Sequence, residues 1–263
     1  LSDTMLVLSI DPHTNDVAML GIPRDLWVTI PGYGYNKINA AHAYGEQAKR
    51  DGGPELAKKV VSTTLGIPIH YFVRLDFTAF QKAINTVGGV DINVAESLYD
   101  SEYPCEQNEG RVCGFKLAAG PQHMNGTVAL RYVRCRKGNC GDDFGRAKRQ
   151  QQVLEALRSE ALSAKTLLDP TKISGLIDAV GDNVRTDLQL GDITRLIDIT
   201  KKVDTSKIVN AVLDNTVDGN NLVRTANIGG ASVVIPAAGT GDFSAIQRFV
   251  RGIFVDGYIK QEA

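Results

Sequence analysis

The chain has 263 residues, is 43% hydrophobic and 22% charged, and carries a formal net charge of -1, which is ordinary globular material for one large domain. It has no run of about 18 apolar residues, so the stretch reads as soluble, with neither a signal peptide nor a membrane span. The near-zero charge and the lack of any recognisable binding module argue against a nucleic-acid partner. The first residues, Leu1-Ser2-Asp3-Thr4, run straight into strand-like sequence, so the chain reads as a fragment whose upstream part has been removed or is disordered.

Met5 to Ile10 and Val17 to Ile22 predict two strands joined by the turn cluster Asp11-Pro-His-Thr-Asn-Asp16, an opening hairpin. Trp27 to Ile30 reads as a short strand before the Pro31-Gly32-Tyr33-Gly34 turn, and Lys37 to Tyr44 has helical composition. Pro54 to Leu65 predicts a helix with proline in its first turn and Gly66 just past its end. Ile69 to Leu75 alternates like a strand, Thr78 to Val87 has helical apolar period broken by Gly88-Gly89, and Val90 to Val94 is a strand. Glu96 to Leu117 reads as a long loop, and Asn125 to Arg136 as a short helix that opens into extended chain at Arg134. Beyond it the pattern predicts helices to about Ala164, near Ile173 to Val180, over Leu190 to Val203 and over Phe243 to Phe254. Strands are expected near Ile208 to Leu213 and Ser232 to Ile235. Interleaved strands and helices without a linker predict a single α/β domain over 1–263, a sandwich with a largely central sheet.

The most unusual stretch is Arg131 to Gln152, which gathers seven of the chain's 29 Lys and Arg into 22 residues. Val153, Leu154 and Leu157 set an apolar helical stripe, and stepping back along it from Val153 and Leu157 lands on Gln150, Arg149 and Arg146. Those side chains are therefore predicted to point inward, where an unpaired charge is costly and two arginines also oppose the positive end of the helix dipole. A bound anion answers both objections, and Arg134 and Arg136, two apart on extended chain, add donors on one face. The guanidinium fork favours a phosphate or diphosphate over a lone carboxylate. The competing reading is a solvated basic face.

The four cysteines fall in two close pairs, Cys105 with Cys113 and Cys135 with Cys140. Local disulfides in an oxidising compartment explain this most simply, though three connectivities are possible in principle. A zinc site competes, but spacings of eight and five are not those of ligand knuckles and no histidine lies close by. His13, His42, His70 and His123 are scattered and read as structural, which argues against a zinc hydrolase, and no Gly-Xaa-Ser-Xaa-Gly elbow occurs, which weakens a serine hydrolase reading.

Ser2-Asp3-Thr4-Met5, Ile22-Pro23-Arg24-Asp25, Lys37-Ile38-Asn39-Ala40-Ala41, Gly88-Gly89-Val90-Asp91, Tyr132-Val133-Arg134-Cys135-Arg136-Lys137 and Asp143-Phe144-Gly145-Arg146 with Arg149-Gln150-Gln151 together resemble the LytR-CpsA-Psr family, in the same order and at similar separations. The resemblance is specific over 1–157, and 158–263 would complete the sandwich. It implies an α/β/α sandwich with a central mixed sheet and an apolar lipid-binding tunnel between sheet and helices. It also implies an enzyme anchored by one N-terminal membrane helix, with its domain on the extracellular side. Such enzymes transfer a glycopolymer from polyprenyl diphosphate to peptidoglycan through a phosphodiester bond, releasing polyprenyl phosphate.

By that resemblance Asp3 is a magnesium ligand, and Arg24, Arg134, Arg136 and Arg146 hold the diphosphate with Gln150 beside them; Arg149 and Lys37 are further contacts. Arg24, Asp143 and Arg146 are the expected catalytic residues, Asp143 either as base toward the acceptor hydroxyl or as orienter of an arginine. Members usually carry another aspartate upstream of the Asp3 motif, ahead of Leu1 here. A Cys135 to Cys140 bond would pre-set the arginine fan. Phe72, Phe77, Phe80, Ile84 and Val87 read as tunnel lining or simply as core. Two other activities remain open on these residues: a non-catalytic polyprenyl-phosphate-binding or regulatory module, and a diphosphate hydrolase.

Overall fold

The computed structural model describes residues 4–11, 16–105, 111–141, 143–161, 184–200, 203, 208–214 and 221–254. The chain divides into two compact units, one of Leu1–Phe72 with Asp187–Ala263 and one of Val73–Thr186.

In the first unit, β1 (Leu6–Ile10) and β2 (Val17–Gly21) form the predicted antiparallel hairpin. Every residue of β2 is buried, which suits an unbroken apolar run flanked on both edges. Its second neighbour is β11 (Val209–Val212), which runs parallel to it and makes a mixed three-stranded sheet. β3 (Trp27–Ile30) pairs with β4 (Gly34–Lys37), so Lys37 ends a strand instead of opening a helix. Gly32 and Gly34, at φ 82° and 74°, make the intervening turn possible. Helix α1 (Ala40–Ala48) follows, then α2 (Gly53–Leu65), which ends as predicted on Gly66 in the left-handed region at φ 68°. β12 (Val223–Ile228) and β13 (Ala231–Pro236) close on Gly229 and Gly230, both with positive φ, as a two-residue hairpin turn demands. Helix α6 (Leu190–Thr200) also belongs here. The Gln247 amide of α7 (Ser244–Phe254) donates to the Thr63 and Thr64 carbonyls at the end of α2.

In the second unit, β5 (Val73–Leu75) is shorter than its alternation suggested and pairs with β10 (Val184–Thr186). Helix α3 (Phe77–Val87) is capped by the Asp76 carboxylate, which accepts the Ala79 amide at 2.8 Å, and stops at Gly88, φ 102°. β6 (Val90–Val94) pairs with β9 (Gly120–Met124). The expected loop 96–117 instead contains a hairpin of β7 (Leu98–Asp100) and β8 (Phe115–Leu117). Helix α4 (Gly126–Arg134) is capped by Asn125 and ends where the sequence predicts; α5 (Asp143–Ala161) follows. Gly126 sits so close to the Gln81 carbonyl of α3 that a Cβ there would collide with it. Ile84, Val90, Met124, Ala129 and Val153, all fully buried, centre the core of this unit. Ile84 and Val87 are thus core rather than tunnel lining, whereas Phe77 is 44% exposed. The helix expected near 173–180 lies outside the described residues. Among the described residues no helix is long and apolar enough to cross a membrane.

Candidate functional site

The basic stretch splits into parts that do different things. Arg134 is the last residue of α4, a favourable end for a cation, and its guanidinium lies 4.3 Å over the Phe77 ring and 5.8 Å from that of Tyr103. Cys135 then leaves the helix at φ -53°, ψ 129°, and Arg136 and Lys137 beyond it are exposed. Both of their amides donate to one oxygen of the Asp100 carboxylate, at 3.2 and 3.1 Å, while the other oxygen accepts the Glu102 amide at 3.0 Å. Asp100 itself is only 1% exposed. Asn139 ties the same loop to β7, accepting the Tyr99 amide at 2.6 Å and donating to the Ser97 carbonyl at 2.7 Å.

On α5 the predicted inward phase is present: Arg146, Arg149 and Gln150 are buried, with Gln151 beside them, while Lys148 and Gln152 face outward. Arg149 spends its fork on the main chain, donating from Nε to the Tyr132 carbonyl at 2.9 Å, from Nη1 to Cys140 at 2.7 Å and from Nη2 to Cys135 at 2.6 Å. Its geometry braces the loop rather than presenting a free fork to a ligand. Tyr132, under the loop, donates its hydroxyl to Gln152 at 2.8 Å; burial raises its pKa, partly opposed by the Arg149 charge. Asp143 is the first residue of α5, and its side chain lies outside the described residues.

In the first unit, the Asp25 carboxylate brings Arg24 and Lys37 together, 2.9 Å from Lys37 Nζ and 4.0 Å from Arg24 Nε. The segment is fixed by its main chain: Asn39 donates to the Arg24 carbonyl at 3.2 Å and Val234 to that of Asp25 at 2.9 Å. Arg24 and Asp25 are therefore set by the hairpin base and not by a loose surface contact, but Arg24 Nε, 4.0 Å from the carboxylate, is beyond hydrogen-bond reach of it.

Both cysteine pairs are bonded locally, Cys105 to Cys113 and Cys135 to Cys140. Cys135 and Cys140 are 0% and 1% exposed, beside Asp100, and these three form the one cluster of His, Cys or acidic groups at ligand spacing among the described residues. It does not suit magnesium, a hard cation that takes oxygen donors, since both sulfurs are in a disulfide and the carboxylate is occupied by three amides. Asp3, the carboxylate the motif offers to magnesium, lies outside the described residues.

Two residues that sequence reasoning missed, Asp100 and Asn139, organise the loop. The only signal for Asp100 was the alternation of Leu98, Tyr99 and Asp100, which hid a buried acid in a stretch expected to be loop.

Comparison with known proteins agrees with these motifs. Residues 1–233 match the LytR_cpsA_psr family. The polyisoprenyl-teichoic acid–peptidoglycan teichoic acid transferase TagU of Oceanobacillus iheyensis is 37% identical over 196 residues, 74% of this chain and 56% of that protein. The chain spans about half the length of the curated relatives it matches. Among solved structures, Bacillus subtilis TagV superposes with TM-score 0.70 at 27% identity over 95% of this chain and 88% of that one. TagT bound to LIIa-WTA gives TM-score 0.70 at 25% identity over 96% and 85%. An α/β fold with a mixed sheet, the motif order and the family match over 1–233 converge: the chain belongs to the LytR-CpsA-Psr family.

Proposed function

We propose that this chain is the catalytic domain of a glycopolymer phosphotransferase that moves a glycan from a polyprenyl diphosphate carrier to peptidoglycan. The observation that carries the reading is the neighbourhood of Arg134. Its guanidinium lies over the half-exposed Phe77 ring, and only Asp76 separates Phe77 from β5, whose one face presents Val73 and Leu75, 56% and 47% exposed. A cation beside an exposed apolar row fits an amphiphile with an anionic head and a hydrocarbon tail. A polyprenyl diphosphate is such a molecule, and the relatives named as polyisoprenyl-teichoic acid transferases support it.

In this reading an acceptor hydroxyl attacks the glycan-bearing phosphorus, the bond from that phosphorus to the bridging oxygen breaks, and polyprenyl phosphate leaves. Arg134, Arg136 and Arg146 neutralise phosphate oxygens, with Gln150 as a neutral donor, and Arg24 and Lys37 are assigned to phosphate as well. Catalysis is then mainly positioning and charge stabilisation. Asp143 either takes the hydroxyl proton or orients an arginine, and the two roles differ in whether Asp143→Asn removes the acid limb of the pH-rate profile. Magnesium, with Asp3 among its ligands, would add charge neutralisation at the diphosphate. The two disulfides support a domain on the extracellular side; anchoring by an N-terminal membrane helix is part of the same proposal and rests on the family resemblance alone.

The test is incubation of the chain with magnesium, a short polyprenyl-diphosphate glycan and a peptidoglycan acceptor. Expected products are phosphodiester-linked glycan and polyprenyl phosphate, with Arg146→Ala slower by about a hundredfold or more. Release of polyprenyl phosphate and glycan phosphate without acceptor would instead identify a hydrolase. Tight binding without turnover would identify a carrier or regulatory module.

A further inference from the structure

The segment from Tyr132 to Cys140 carries both Arg134 and Arg136, and its main chain is held from two sides by opposite charges. The Asp100 carboxylate accepts the amides of Arg136 and Lys137, and the Arg149 guanidinium donates to the carbonyls of Tyr132, Cys135 and Cys140. Both groups are buried, at 1% and 8% exposure, and charge-assisted hydrogen bonds of this kind are roughly twice as strong as neutral ones.

From this we infer that Asp100 and Arg149 are paired positioning residues that aim Arg134 and Arg136 by clamping the main chain between them, and that Arg149 does not itself hold phosphate. The inference rests on the reading in which Arg134 and Arg136 bind the diphosphate. Burial and stoichiometry support it. A carboxylate accepts and cannot donate, so it selects amides; a guanidinium donates and cannot accept, so it selects carbonyls. Together they fix both kinds of main-chain group within one short loop, which leaves side-chain torsions as the main freedom of the two arginines. Arg134 loses part of even that freedom against the Phe77 ring.

The clamp and the ligand roles of Arg149 predict different behaviour for conservative variants. If Arg149 held phosphate, Arg149→Lys would keep its charge and much of the affinity. If it clamps, lysine fails almost as badly as Arg149→Gln, because one ammonium cannot span three carbonyls set around the loop. For Asp100→Asn, whichever way the amide turns, an N–H faces an N–H donor, although size and shape are unchanged.

The experiment uses the full 263-residue chain, geranylgeranyl diphosphate as probe, and two readouts: binding by calorimetry, and hydrogen exchange of the Arg136 and Lys137 amides by NMR. Partners that orient a binding group without touching the ligand are worth about ten- to a hundredfold, so Asp100→Asn and Arg149→Lys should each weaken probe binding by about that factor. Exchange at those two amides should speed up in Asp100→Asn, while the amides of α3 and β6 keep their wild-type rates and so certify the fold. The clamp is overturned if loop exchange is unchanged in Asp100→Asn, if exchange rises throughout the unit, or if Arg149→Lys binds like wild type. If Arg134→Ala binds the probe as tightly as wild type, the diphosphate reading itself fails, whatever the loop amides do, and the inference falls with it.

Discussion

The two disulfide loops of the second unit are built from the same bond at similar spacing, yet they sit in opposite surroundings. Cys105–Cys113 closes a separation of eight residues in the connection between β7 and β8, near Val112, which is 61% exposed. Cys135–Cys140 closes five residues, with both cysteines buried under the clamp of Asp100 and Arg149. Chain-entropy arguments give both about 2 kcal/mol, with slightly more for the longer loop. Any larger difference between them must therefore come from what each loop carries. The outer loop carries hairpin ends; the inner one carries Arg134 and Arg136.

Opening the inner loop is the largest expected break. The double variant Cys135→Ala/Cys140→Ala should lose about 2 kcal/mol of stability in urea unfolding and, in the transfer assay, about ten- to a hundredfold in rate. An unchanged rate would show that Asp100 and Arg149 hold the arginines without covalent help. Opening the outer loop by Cys105→Ala/Cys113→Ala should cost a similar stability of about 2 kcal/mol but leave transfer within about twofold. Equal losses of rate from both loops would erase the distinction.

The smallest effect concerns Tyr132, whose carbonyl anchors Arg149 and whose hydroxyl reaches Gln152. Burial holds its pKa above the ordinary 10.0, so the folded state keeps the proton longer than the unfolded one. The stability it contributes is complete below pH 10 and drains away as pH rises through the raised value. Tyr132→Phe removes that slope and one hydrogen bond worth about 1 kcal/mol. Its deficit in urea unfolding at pH 9 should accordingly narrow by pH 11; a constant deficit would place the tyrosinate in water.

How much of this was legible in the sequence depended on whether a residue's neighbours lie along the chain or across it. Helices α2 and α3 were readable because their apolar period and closing glycines are local, and α5, with the inward phase of Arg146, Arg149 and Gln150, followed from its apolar period alone. β4, β7, β8 and β9 were not, because Gly34–Lys37 and Gly120–Met124 are half-polar stretches made into strands only by their partners. The cysteine pairs were readable from spacing. The work of Arg149 was not, since a main-chain carbonyl leaves no residue type behind, and Asp100 lies 36 residues before the amide of Arg136 that it holds.

The crowding at Gly126 has a mechanical side. The first residue of helix α4 lies against the Gln81 carbonyl, and Arg134 sits at its far end, eight residues along. At about 1.5 Å per residue that is an arm of about 12 Å, so a tilt of about 5° about that contact sweeps the tip through about 1 Å. A single methyl group at position 126, eight residues before Arg134, would thus steer the guanidinium off the Phe77 ring without touching either.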